Sequence, residues 1–436
     1  MFTYYGRLAL MSMRRTPAIT ALMVAAIAIG VAVCTVSLTV YHLMSANPMQ
    51  DRNDVLFAVT TDNWDPEHAW DDTHPQLAPS EWTYRDATAV LAAGAADRSA
   101  VMRKTGFTLE AAPGAKPFLV EGRLTTGDFF PMFDVPFEYG GGWDHKADRD
   151  ALPVVVLSKK TNETAFGGQN SVGKVIKLDS REYRVVGVLK DWQPTPKFYD
   201  LNNGQYDNIE DVYAPFALGA QLQLQPAGNV NCWKPEEIKG FEQFLNSECI
   251  WNQVWVQLDT PQKQAQFKEF LDGYVAHQKT LGRFPRPLNN HLYTVKQWLD
   301  VNEVVAKDNK VLMGLAFMFL AVCVLNVVGL LLAKFLGRAK ITALRRALGA
   351  SRQELFKQHL VEVGAIGLAG GILGLGLAAL GLVGMRHLYE NYDQLTHLDL
   401  PVALLSLGIS VAAGAVAGIY PAWRVCRVAP SIYLRT

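Results

Sequence analysis

The sequence predicts a membrane protein: an α-helical bundle of four spans that carries one extracytoplasmic α+β domain of two subdomains. Half of its 436 residues are hydrophobic, and they are clustered rather than periodic. Four clusters, residues 18–40, 311–333, 361–383 and 402–420, match the roughly 20 residues a spanning helix needs. Charge then orients them. Arg7, Arg14 and Arg15 precede the first cluster, seven basic residues against Glu354 alone fill 334–357, and Arg424, Arg427 and Arg435 follow the last, so these flanks and both termini belong in the cytoplasm. Between Ser45 and Lys310 the count is 27 Lys and Arg against 36 Asp and Glu, a net charge of −9 hidden under a total of zero. The two signs are sorted across the membrane.

Taken in order, residues 1–17 mix Phe2, Tyr4, Tyr5, Leu8, Leu10 and Met11 with arginines, the composition of a helix lying in the inner interface. Residues 18–44 form the first membrane helix and its exit. This is an anchor and not a removable signal, because its apolar core is too long and Met44 spoils a small-residue cleavage site. Residues 45–310 form the external domain. A strand is expected at 55–60, a helix at 80–93 capped by Ser80, and strands at 99–103, 107–111 and 117–121. Later come a strand at 251–258, a helix from Pro261 and a strand at 291–295. Two strand–helix–strand units separated by a long middle imply one α/β layer interrupted by an inserted subdomain at about 137–249. That insert contains strands at 153–157, 174–178 and 182–189, then a polar loop at 193–208. A stalk at about 297–310, with Trp298, Val301, Val304 and Val305 as its apolar stripe, is expected to run as one helix into the second span, 311–333.

The cytoplasmic segment 334–360 is the most specific local signal. Leu344, Arg345, Arg346, Ala347, Leu348, Gly349, Ala350 and Ser351 read as a helix end, a hard turn and a restart. Gly349 can take the left-handed conformation of a helix terminator, and the arginines place positive charge over the last carbonyls. Ser351 with Glu354 makes a capping box. The third span, 361–383, a short external loop, 384–401, the fourth span, 402–423, and a tail, 424–436, complete the chain. No Lys, Arg, Asp or Glu lies at mid-depth, which separates this chain from carriers driven by ions or protons. Gly367/Gly371, Gly370/Gly374 and Gly414/Gly418 are spaced for close helix contact.

Other constellations carry less. Gly168 to Lys174 has the spacing of a phosphate loop, but Val175 replaces the hydroxyl residue and a strand follows, so nucleotide binding is not expected. Of five cysteines only Cys232 and Cys249 lie outside; in an oxidising compartment they are either bridged or buried thiols, and the pair is expected to be bridged. The histidines lack ligand spacing, so no metal site is read. Asp62, Asp65, Glu67, His68, Asp71, Asp72 and His74 read as a solvated acidic loop, and no nucleophile and base pair declares itself, so no catalytic residue is assigned.

These residues together resemble the MacB/FtsX type of ABC transporter permease, four-span proteins with a large domain between the first two spans. The resemblance rests on Arg14-Arg15-Thr16-Pro17, on Asp128-Phe129-Phe130, on Val155 to Lys190 and on Leu344 to Ser351 with Gly418 to Arg424. It departs from the family pattern at Ile341-Thr342-Ala343 and at Pro430 to Arg435. It implies a MacB-like periplasmic core domain and a bacterial inner-membrane location. It also implies a dimer with a second permease copy or a homologous permease, and a cytoplasmic ABC ATPase subunit that holds ATP and Mg while this chain holds no cofactor. Residues 344–351 would contact that ATPase, and the stalk would carry its closure outward for export or extraction of a substrate. A periplasmic adaptor protein, an outer-membrane channel and membrane lipid are further implied partners; nucleic acid is not. The alternative within the resemblance is an FtsX-like transducer that controls an external hydrolase.

Overall fold

The computed structural model describes residues 2–110, 116–305, 307–388 and 399–427, in two compact units: 1–45 with 305–436, and 46–304. The chain opens with α1 (Phe2–Arg15) and α2 (Pro17–Ser45). The external unit then runs β1 (Leu56–Thr60), β2 (Trp82–Thr83), α3 (Tyr84–Ala93), β3 (Arg98–Glu110), β4 (Phe118–Thr125), α4 (Phe129–Met132), β5 (Phe137–Gly140), α5 (His145–Arg149), β6 (Val154–Leu157) and α6 (Lys159–Phe166). It continues through β7 (Val175–Leu178), β8 (Arg181–Leu189), β9 (Val212–Pro215), α7 (Leu218–Gln221), α8 (Phe241–Leu245), β10 (Ile250–Gln257), α9 (Pro261–Thr280), β11 (His291–Thr294) and α10 (Val295–Val301). The membrane unit closes with α11 (Lys307–Leu336), α12 (Ala339–Ala347), α13 (Arg352–Leu388) and α14 (Leu400–Cys426). Parts of the expected 384–401 loop and 424–436 tail lie outside the described residues.

Among the described residues, eleven strands make one sheet, with principal order β11-β1-β10-β3-β4-β9-β6-β8-β5. The two expected strand–helix–strand units interleave: β10, from the second, lies antiparallel between β1 and β3 of the first. The strands at 99–103 and 107–111 are one strand. β3 keeps continuous register with β4 from Met102 to Leu109, while its other edge is taken first by β10 and then by β7. Strands β5 to β9 of the inserted region extend the same sheet, because β9 pairs parallel with β4 from Gly122 to Thr125. The expected cap of the first helix moves from Ser80 to Thr83, whose side chain accepts from the Asp86 amide. Trp82 has been drawn into the sheet beside β10 and its indole donates to the Val59 carbonyl at 2.7 Å, so the chain cannot turn helical earlier.

In the membrane unit, α2, α11, α13 and α14 are each long and apolar enough to span a bilayer. The paired glycines of α13 face two neighbours. A Cβ at Gly367 would lie 2.8 Å from the Ser410 carbonyl of α14, and one at Gly370 would lie 2.7 Å from Ile27 of α2. Small residues therefore let α13 approach both helices at backbone range.

The continuous stalk is corrected. α10 ends at Val301, Glu303 adopts φ +47°, and Asn302 to Val305 are non-helical before α11 begins at Lys307. The Glu303 amide donates to Asp300 and the Val304 amide to Leu299, at 3.1 Å each, which is a Schellman termination with glutamate where glycine usually stands. Trp298 and Val304 are buried in the external unit instead of striping an exposed rod: the Trp298 indole donates to Phe198 and the Val304 carbonyl accepts from Tyr206.

Candidate functional site

The corner between α12 and α13 is assembled from local rules. α12 ends with Leu348 as its cap residue, Gly349 at φ +100°, and two closing bonds, Gly349 amide to Arg346 carbonyl at 3.1 Å and Ala350 amide to Arg345 carbonyl at 3.0 Å. α13 restarts immediately. The Glu354 amide donates to Ser351 Oγ at 3.2 Å and the Ser351 amide donates to Glu354 Oε2 at 3.3 Å, the reciprocal capping box. Arg345 donates to Gln358 of α13 at 3.0 Å, and Arg346 donates to the Cys426 carbonyl at the end of α14 at 3.3 Å. The corner is thereby tied to two membrane helices.

Its outer face is apolar. Ile341, Leu344 and Leu348 are 46%, 50% and 80% exposed and recur at helical spacing, with Ala347 also exposed beside them. Thr342 and Ala343, on the opposite side, are buried in the bundle. The helix thus has one face fixed in the bundle and one bare leucine face. Of the stalk residues, Trp298, Val301 and Val304 lie at or near the end of α10 with Val305 in the non-helical link, and none shares a helix with α11.

Beneath the corner lies a polar cluster that hydropathy conceals. Lys334 Nζ and Glu362 Oε1 pair at 2.7 Å with both side chains buried. Ser12 of α1 donates to Glu362 and accepts from Arg338, and Arg338 also donates to the Ser12 carbonyl at 3.0 Å. The α1 helix is thus fastened to α13 and, through Arg338, to the link between α11 and α12. Lys334 and Glu362 sit at the ends of the apolar runs, and nothing in either run alone marks them as partners.

The external unit has a second hidden network. Arg123 on β4 pairs with Asp200 and Glu210, Lys197 reaches Glu210 at 3.3 Å and the Tyr199 hydroxyl donates to Glu210 at 3.0 Å, all fully buried. Burial pushes Glu210 up, but Arg123 and then Lys197 overcome it and hold the carboxyl well below its usual range. The polar stretch 193–208 is therefore anchored by charge. Cys232 and Cys249 are bonded, with Cα atoms 4.2 Å apart, beside a bridge in which Asn231 and Ile250 exchange backbone hydrogen bonds at 3.0 and 2.8 Å. In the acidic loop, Asp62 pairs with Arg286 at 3.0 Å and Asp65 with His68 at 2.9 Å. The Glu67 amide and then His68 lower the Asp65 carboxyl, and Asp65 in turn raises His68. Gly168 to Lys174 runs into β7, a strand. Among the described residues no group of three or more metal-ligand side chains converges.

A family model described as the MacB-like periplasmic core domain matches residues 20–273, and one described as the FtsX-like permease C-terminal region matches 313–430. The chain is 22% identical over 342 residues to the macrolide export ATP-binding/permease protein MacB of Syntrophobacter fumaroxidans, covering 71% of this chain and 46% of that one. It is 23% identical over 312 residues to the Bacillus subtilis ABC transporter permease YvrN, covering 71% and 68%. The chain thus spans under half the length of such MacB relatives. Similar solved structures include the periplasmic region of MacB from Actinobacillus actinomycetemcomitans, with TM-score 0.37, 12% identity and coverage of 59% of this chain and 96% of that one. The extracellular domain of the transporter YknZ from Gram-positive bacteria gives TM-score 0.34, 13% identity and coverage of 54% and 98%. With the core-domain model covering more than half of its length, this chain belongs to the MacB/FtsX-type family of ABC transporter permeases, as a membrane protein with an extracytoplasmic domain.

Proposed function

We propose that the chain is the permease subunit of a MacB-type ABC transporter, which converts closure of a separate cytoplasmic ATPase into movement of the extracytoplasmic domain for export or extraction of a substrate. The observation that carries this reading is the bare leucine face of α12, held by a Schellman turn and a capping box against a 37-residue helix, α13. At about 1.5 Å per residue, α13 is long enough to deliver displacement across the whole bilayer without a joint. The arginine bonds to Gln358 and to the Cys426 carbonyl distribute the same push to α13 and α14. ATP and Mg would be bound by the ATPase, and both termini of this chain would be cytoplasmic. A second permease copy or a homologous permease would complete the transporter, with a periplasmic adaptor and outer-membrane channel as further partners where the route crosses two membranes.

The test is co-purification. Leu348→Asp puts a carboxylate into the apolar contact, which costs more than the roughly 2–7 kcal/mol of burying a neutral polar group, if the leucine is buried by the partner. Correctly inserted variant protein should lose the ATPase and its stimulated hydrolysis. Wild-type partner recovery and turnover with Leu344→Asp and Leu348→Asp would place the contact elsewhere.

A further inference from the structure

A cavity of about 270 Å³ opens between α1, α12 and α13 at the ends of the spans that do not connect to the external domain. Three guanidinium-bearing residues line it: Arg15, Arg338 and Arg345. The hydrogen-bond partners of two of them are neutral. Arg338 bonds Ser12 and Thr16, Arg345 bonds Gln358, and among the described residues none of the three pairs with a carboxylate. The carboxylate that does line the cavity, Glu362, is already engaged by Lys334 and by the Ser12 hydroxyl. The positive charge facing the cavity is therefore left without a counter-charge from the protein.

Three guanidinium groups around one concavity match the tetrahedral oxygens of a phosphate, since each presents a planar fork of donors. The rim adds a second chemistry. Leu8, Met11 and Ile341 border the arginines, with Met11 and Ile341 about half exposed. Basic side chains with apolar neighbours at a cytoplasmic helix end are the pattern that holds an acidic lipid headgroup while its chains run along the helices.

We propose that this cavity is a binding site for a phosphate group, held by Arg15, Arg338 and Arg345, with an anionic phospholipid of the inner leaflet as the source that its apolar rim favours and soluble phosphate as the other. Occupancy would tie α1 to α12 through the ligand, in addition to the direct bonds of Arg338 to Ser12.

The experiment is native mass spectrometry of the full chain in detergent, titrated separately with phosphatidylglycerol, phosphatidylcholine and inorganic phosphate. Phosphatidylglycerol is expected to bind more tightly than phosphatidylcholine, and Arg15→Gln to weaken it by about tenfold, the loss expected for one charge-assisted contact. Arg338→Gln should do the same, but it also frees Ser12 and can loosen α1. Arg15→Gln, on an exposed side chain, is therefore the deciding variant. Phosphatidylglycerol that persists against millimolar inorganic phosphate supports a lipid site, and its displacement with phosphate retained at the same arginines supports a soluble phosphate site. Equal binding of the two lipids, together with unchanged phosphatidylglycerol binding in folded Arg15→Gln, overturns the proposal.

Discussion

Lys334 and Glu362, on α11 and α13, face one another at 2.7 Å with neither side chain reaching solvent. A buried pair of this kind is held in place by the cost of breaking it more than by its net attraction. Glu362→Leu or Lys334→Met should each destabilise the membrane unit by about 3–5 kcal/mol, whereas the double change should recover most of that loss. Thermal unfolding of the purified single and double variants in one detergent checks the non-additivity.

Ser351→Ala removes the acceptor for the Glu354 amide and should cost about 1 kcal/mol at the start of α13. Arg345→Lys and Arg346→Lys keep the charge and lose the fork that reaches Gln358 and the Cys426 carbonyl. Membrane insertion should be unchanged in both, while ATPase stimulation falls; a topology reporter fused to the tail separates the two effects.

Gly367→Ala should loosen the contact of α13 with α14, because the added carbon would meet backbone, the Ser410 carbonyl at 2.8 Å, and backbone cannot turn aside. Overpacking of this kind costs about 1–3 kcal/mol. Gly376→Ala is the control, since open space surrounds that position. The two unfolding midpoints in detergent should differ in that direction.

Cys232→Ser with Cys249→Ser opens a loop closed over a sequence separation of 17, worth about 3 kcal/mol in the chain-entropy model. The Asn231 and Ile250 bridge beside it should persist in the folded variant, since its bonds are backbone to backbone. Denaturant unfolding of the external unit in the full chain, with and without reductant, reads the loss, and reductant should not alter the double variant.

Glu81 is buried and accepts from Gln253 and Asn231 at 3.2 Å each. Burial first, and Asp200 second, push its carboxyl up to about 8 from its ordinary 4.5. The folded state then holds a proton that the unfolded chain has released, so its contribution is complete below pH 4.5 and is lost as pH rises to about 8. Up to about 5 kcal/mol is at stake over that window. Glu81→Gln should flatten the decline. Asp148, raised by burial to about 6, has the same sign and stays in both proteins, so tryptophan-monitored unfolding from pH 5 to 9 isolates Glu81 by difference.

The spans, the individual strands and the corner were legible because each is written in local chemistry: apolar length, alternation, a glycine and a capping box. Two Schellman endings make the boundary of that legibility plain. At Gly349 the residue that permits positive φ is the one that advertises it, whereas at Glu303 tertiary packing of Val304 forces the same geometry on a residue that does not. The break between α10 and α11 is invisible in the sequence for that reason. Strand order, the Arg123 network and the Lys334–Glu362 pair depend on residues far apart in sequence, and neither period nor spacing encodes which of them meet. For the disulfide, compartment alone narrowed the choice to two cysteines.

The position of β10 between β1 and β3 also constrains how the protein is made. Both flanking strands leave the translocation machinery well before β10 does, each with an edge of unpaired amides and carbonyls that only this later strand fills. Such non-local pairing is slow and leaves edges open in the meantime. The external domain must therefore wait, partly built, with its first half already outside the membrane, and quality control during secretion falls on that interval.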